Sequence, residues 1–187
     1  TLATYSRAQD EFIFYEIDPD VESIAREHFS FLKDAEGKID VVIGDARISM
    51  ERELKNEGSH QFDILAVDAF SGDAIPLHLL TKEAFEMYFR HLKSDGILAI
   101  HISNRHINLR PVVRTLADQF SKQRFLIKNS SDNSNLIKGA SWVIVTDNDA
   151  FVNHDRVAYY VREWDERDLE EILWTDNYSS LLNVLKR

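Results

Sequence analysis

Apolar positions fall along the chain in two alternating rhythms. Short aromatic and β-branched runs occur at residues 11–17 (EFIFYEI), 39–43 (IDVVI), 62–67 (FDILAV) and 97–102 (ILAIHI), and each reads as a strand. The third run has almost no polar alternation, so it is expected to be buried on both faces as a central strand of a parallel sheet. The fourth is likewise expected to be buried. Between the runs the apolar period lengthens to that of a helix. Val21, Ile24, Ala25, His28, Phe29 and Leu32 follow an Asp18-Pro19 start signal, and Gly37 is expected to end that helix. Further helices are expected over residues 47–55, stopped by Gly58, over 81–92 with Thr81 as N-cap, and over 109–120 with Pro111 near the start. Ser94-Asp95-Gly96 reads as a turn. Residues 124–127 and 141–146 read as an antiparallel pair, joined by a Ser/Asn-rich stretch. The tail is expected to hold an acidic helix over 163–171, exposing a solvated face, and another helix over 178–185.

Strand alternating with helix is the signature of a doubly wound α/β sheet. A length of 187 residues suits one domain, with residues 1–150 as its body and 151–187 as a C-terminal helical extension. Hydrophobic residues at 44% allow a packed core. The net charge of −10 argues against nucleic acid as a partner and against a polybasic membrane-surface module, and it favours a cationic small molecule. With no cysteine, disulfides, thiolate metal sites and a cysteine nucleophile are excluded. No apolar run approaches the roughly 18 residues that span a bilayer. The chain opens without Met, which suggests a fragment or a processed chain.

Ligands in open α/β sheets bind beyond the carboxyl ends of the strands. That rule selects Glu16-Ile17-Asp18, Gly44-Asp45-Ala46, the 68–76 loop and His101-Ile102-Ser103-Asn104. An acid at such a place can accept both hydroxyl protons of a ribose. Glu16 fits that role better than Asp18, which is also placed to cap a helix. Asp45 suits either an adenine amino group or a second N-cap. The 68–76 loop carries Asp68 and Asp73 around Ser71 and Gly72. Paired acids there can bind and deprotonate a cationic amine, although Asp, Ser and Gly are also ordinary turn residues. His101 and His106 bracket a strand end without a metal-ligand spacing, so no metal site is expected. Ser71 and Ser103 lack the context of a hydrolase nucleophile. Trp142 reads as core.

The runs FYEIDPDV, VVIGDAR, FDILAVDAFSGDAIPLHLLTKEAFEMYFRHLKSDGILAIHISNRH and WTDNYSSLL resemble the spermidine synthase-like proteins, the polyamine aminopropyltransferases. More narrowly, they resemble the subgroup in which this domain often follows a membrane segment. The resemblance covers about residues 1–106, with an echo at 174–182. It implies a Rossmann-like, class I methyltransferase-type sheet. It also implies transfer of an aminopropyl group from decarboxylated S-adenosylmethionine to a polyamine-type amine, with no tightly bound cofactor. By resemblance Glu16, with Asp18 nearby, holds the ribose, and Asp45 and Ala46 contact the adenine. Asp68 positions and deprotonates the amine, and Asp73 matches a second aspartate of the same loop.

The sequence departs from the family in several places. The glycine-rich loop and the strand before it are absent, since the six glycines never cluster. In the family that strand lies between the runs at 11–17 and 62–67. The small N-terminal β-domain is absent too, and the spacing from Asp68 to Asp73 is longer than the family's. The domain is therefore expected to be incomplete at its N-terminus, with the sheet completed by upstream residues or a partner, or built in an altered order. The alternatives are an S-adenosylmethionine-dependent methyltransferase and a non-catalytic nucleoside-binding module. A cytoplasmic location, attachment to a membrane through further sequence and a homodimer are further expectations. The Trp174–Tyr178 stretch would lie over the active-site mouth or simply pack the C-terminus.

Overall fold

The computed structural model describes residues 2–69 and 76–186. It forms two compact units, Thr1–Gly58 and Ser59–Arg187.

In the first unit, β1 (Glu11–Glu16) and β2 (Lys38–Ile43) pair in parallel, from Glu11 opposite Lys38 to Glu16 opposite Ile43. Helix α1 (Pro19–His28) starts where the Asp-Pro signal places it. It ends earlier than expected, at Phe29, whose backbone is extended, and a separate turn closes from Asp34 N–H to Ser30 O. Gly37 serves close approach instead of ending the helix: a Cβ there would lie 2.5 Å from the Asp10 carbonyl oxygen. No residue of α1 is buried, so its apolar stripe stays largely open, with Val21 and Ile24 both exposed. Helix α2 (Ala46–Asn56) docks on β1 through the Tyr15 hydroxyl, which donates to Glu53 Oε2 at 2.6 Å. Burial, with the neighbouring Glu53 carboxylate, pushes that phenol well above its usual range.

The second unit is a five-stranded sheet in the order β3-β4-β6-β5-β7. Its strands are β3 (Phe62–Val67), β4 (Leu92–His101), β5 (Arg124–Asn129), β6 (Ala140–Val145) and β7 (Val161–Arg162). β3 and β4 run parallel, joined through α3 (Lys82–His91), and β5 and β6 form the expected antiparallel pair. Leu65, Val67, Leu98, Ile100, Val143 and Val145 share one face and are all buried. Buried side chains of α3 and of α4 (Arg110–Gln119), among them Phe85, Tyr88, Val112 and Leu116, supply the apolar cover.

Three further expectations are corrected. β3 is an edge strand and is not buried on both faces: Ile64 is 59% exposed and Ala66 is exposed. The Ser94-Asp95-Gly96 turn lies inside β4, as an irregularity where the register jumps from Phe62–Leu92 to Ile64–Ile97. The tail forms only short turns: α5 (Asp149–Val152), α6 (Asp155–Ala158) and 3-10 turns at Glu166–Leu169 and Leu182–Val184. The acidic stretch is held as an irregular strap, since Arg114 donates to the carbonyl oxygens of Asp168, Leu169 and Glu170. Buried Asp168 meanwhile pairs with Arg110 at 3.1 Å. Carbonyls spent on arginine are not available for a helical ladder.

Candidate functional site

Two groups of polar side chains stand at carboxyl ends of parallel strands, one in each unit. In the first unit the strand ends are tied together, with Gly44 N–H donating to Glu16 O at 2.8 Å. Gly44 has φ +139°, a conformation that side-chain-bearing residues rarely adopt, and this lets β2 turn directly into α2. Asp45 caps α2, its Oδ1 accepting from Ile48 N–H at 3.0 Å, and Ala46 is the first helical residue. Asp18 caps α1, its Oδ1 accepting from Asp20 N–H at 2.9 Å. Glu16 ends β1, and its Oε1 accepts from Asp18 N–H at 3.0 Å. The parallel register sets Glu16 beside Ile43, so Glu16 and the Gly44-Asp45 turn share one rim. Neighbouring strands are about 4.8 Å apart, which is the scale of a nucleoside's ribose and base edges.

In the second unit, Val67 lies opposite Ile100, so the next residues, Asp68 and His101, meet at the strand ends. His101 Nδ1 and Asp68 Oδ1 are 2.6 Å apart. Trp142, opposite His101 on β6, stacks on the imidazole with ring centres 4.7 Å apart. The carboxylate is 58% exposed and the histidine 20%. An imidazole donating Nδ1–H to Asp68 holds that carboxylate in place at the strand end. Sequence reasoning did not pair His101 with Asp68, because only the register brings them together. Asp73 lies outside the described residues. Trp142 is half-buried and acts as a platform for His101 rather than as core.

Trp174 is completely buried and its carbonyl accepts from Lys82 N–H at 2.9 Å. Thr81, the N-cap of α3, donates its hydroxyl to Asp176 Oδ1 at 2.8 Å. The Trp174–Tyr178 stretch therefore packs against the start of α3. Among the described residues no group of three or more His, Asp or Glu side chains is arranged to hold a metal, and no helix is long and apolar enough to cross a membrane.

The parallel β-α-β units with polar groups at their carboxyl ends define a Rossmann-like α/β fold. The fold matches the crystal structure of a probable spermidine synthase from Corynebacterium glutamicum with a TM-score of 0.63, at 18% identity, over 90% of this chain and 64% of that one. The chain is homologous to a polyamine aminopropyltransferase of Vibrio vulnificus, 37% identical over 84 residues, which is 44% of this chain and 26% of that protein. It is also 34% identical over 86 residues to an N-terminal histidine N-methyltransferase of Emericella nidulans, 46% of this chain and 15% of that protein. No family model matches the chain. The chain thus matches about a quarter or less of the length of either curated relative.

Proposed function

We propose that this chain supplies donor- and amine-binding residues of an aminopropyltransferase, which moves the aminopropyl group of decarboxylated S-adenosylmethionine to a small amine. The observation that carries this reading is the half-exposed Asp68 carboxylate at the end of β3, oriented by His101. The amine nitrogen attacks the aminopropyl carbon next to the sulfonium. The C–N bond forms as the C–S bond breaks, and the bonding pair goes to sulfur, leaving neutral methylthioadenosine. No general acid is needed for that leaving group. The amine must shed a proton, and Asp68 takes it. Holding the reactants in line supplies much of the remaining acceleration, and Asp73 is proposed as a second anchor for the cationic acceptor. The test is incubation of the protein with decarboxylated S-adenosylmethionine and putrescine, read by mass spectrometry. Appearance of spermidine supports the reading, and absence of any aminopropyl product refutes it.

The match to a histidine N-methyltransferase favours one other reading on the same fold, methyl transfer from S-adenosylmethionine. A methylated product, with the decarboxylated donor unused, decides for it.

Glu16 is proposed to hold the ribose, and Asp45 with Ala46 the adenine. Glu16 and Asp18 are separable by experiment. Glu16→Gln keeps an acceptor for Asp18 N–H but loses the charge, so methylthioadenosine binding is expected to weaken by about 10- to 100-fold in calorimetric titration. Asp18→Ala removes the cap of α1 and is expected to cost about 1 kcal/mol in thermal unfolding while leaving that affinity unchanged. Equal losses of affinity in both variants would place the ribose on Asp18 as well.

A further inference from the structure

The second unit contains a cavity of about 450 Å³ near the carboxyl end of β4, between the residues after that strand and the β5–β6 connection. That is room for a small metabolite. Its chemistry is opposite to that of the acidic chain around it. Arg110, Lys128 and Lys186 line it, together with Ser103, Ser130 and Ser131, and no aspartate or glutamate among the described residues is in its wall.

The three cations are not equally neutralised. Arg110 is held by Asp165 and by buried Asp168, at 3.2 and 3.1 Å. Lys186 makes a hydrogen bond to the Asn104 carbonyl oxygen at 2.5 Å and has no carboxylate partner among the described residues. The Lys128 ammonium has no polar partner among them. The three cations line one space, and partial desolvation with the positive charges of Arg110 and Lys128 pushes the Lys186 ammonium down.

Several of the wall's side-chain acceptors already hold a backbone N–H. Asn129 Oδ1 accepts from Ala140 N–H, Asn108 Oδ1 from Arg110 N–H, Ser131 Oγ from Gly139 N–H, and Ser103 Oγ from Ser141 N–H. Donor capacity is left in the two ammonium groups and in the hydroxyl protons of Ser130 and Ser131. A polyamine would be repelled by the three cations here. An anion with several oxygens would meet charge-assisted donors on more than one side.

We propose that this pocket is an oxyanion site, taking a small ligand that bears a phosphate or carboxylate group. The site is independent of the aminopropyl reading, and its test needs neither amine nor nucleoside.

The experiment is calorimetric titration of the whole chain with inorganic phosphate and, separately, with succinate, at low ionic strength in a buffer without oxyanions. Saturable one-site binding of at least one probe is expected. Phosphate alone would mark the ligand as a phosphate ester, and succinate alone as a carboxylate. Lys128→Ala and Lys186→Ala are each expected to weaken binding about tenfold. Both side chains are exposed, so neither change removes a core contact. Lys138→Ala, on the same β5–β6 connection but outside the cavity wall, is expected to leave binding unchanged. No saturable binding of either probe would overturn the proposal. So would equal weakening by Lys138→Ala, which would mean diffuse attraction to basic surface.

Discussion

Replacing Asp68 by asparagine is expected to lower the rate of aminopropyl transfer by about 10²- to 10⁴-fold, the usual contribution of a positioned general base. The change is nearly isosteric. The amide oxygen can still accept the His101 Nδ1–H that now reaches Oδ1 at 2.6 Å, so the local arrangement survives. An amide cannot take the proton that the attacking amine must lose. Methylthioadenosine affinity is expected to be unchanged, because that ligand carries no reacting amine. Transfer rates under saturating donor, together with calorimetric affinity, separate the two effects. A variant that keeps wild-type turnover would remove Asp68 from the chemistry, and one that loses nucleoside binding would give it a different role.

The largest structural effect is expected at Trp174. The side chain is completely buried, and its backbone ties the tail to the first turn of α3. Trp174→Ala is expected to destabilise the protein by about 3–5 kcal/mol, the cost of lost burial plus the cavity left behind. The indole adds a test of its own. Its Nε1–H is buried without a hydrogen-bond partner among the described residues. An unpaired buried donor costs about 1–3 kcal/mol, so Trp174→Phe removes that penalty along with some volume. Phenylalanine is therefore expected to cost much less than alanine. Denaturant unfolding of the two variants measures the difference. Equal losses would mean that the indole nitrogen is satisfied in solution.

Much of the fold was legible because it rests on local rules. The boundaries of β1, β3, α3 and α4 follow from apolar period, from caps such as Asp18 and Thr81, and from Pro19 and Pro111 near helix starts. The errors fall where a residue serves a contact made by distant chain. Gly37 reads as a helix stop but exists to admit the Asp10 carbonyl. The acidic tail reads as a helix but spends its carbonyls on Arg114. The 62–67 run reads as a central strand, and its composition is that of one; the sheet order places it at an edge, with Ile64 exposed.

The site divides along the same line. By itself the sequence determined which carboxylates stand at strand ends, since a strand that runs straight into a turn or capped helix must present its last polar residues there: Glu16, Asp45 and Asp68. Capping is local too, since Asp18 and Asp45 each accept a backbone N–H within three residues, whereas the long-range placements were left to the tertiary structure. It alone paired Asp68 with His101, and it alone gathered Lys128 and Lys186 around one cavity. The reason is range. Caps and periodicity act within a turn or two of chain, whereas strand register joins residues 33 positions apart for Asp68 and His101, and no local pattern records it.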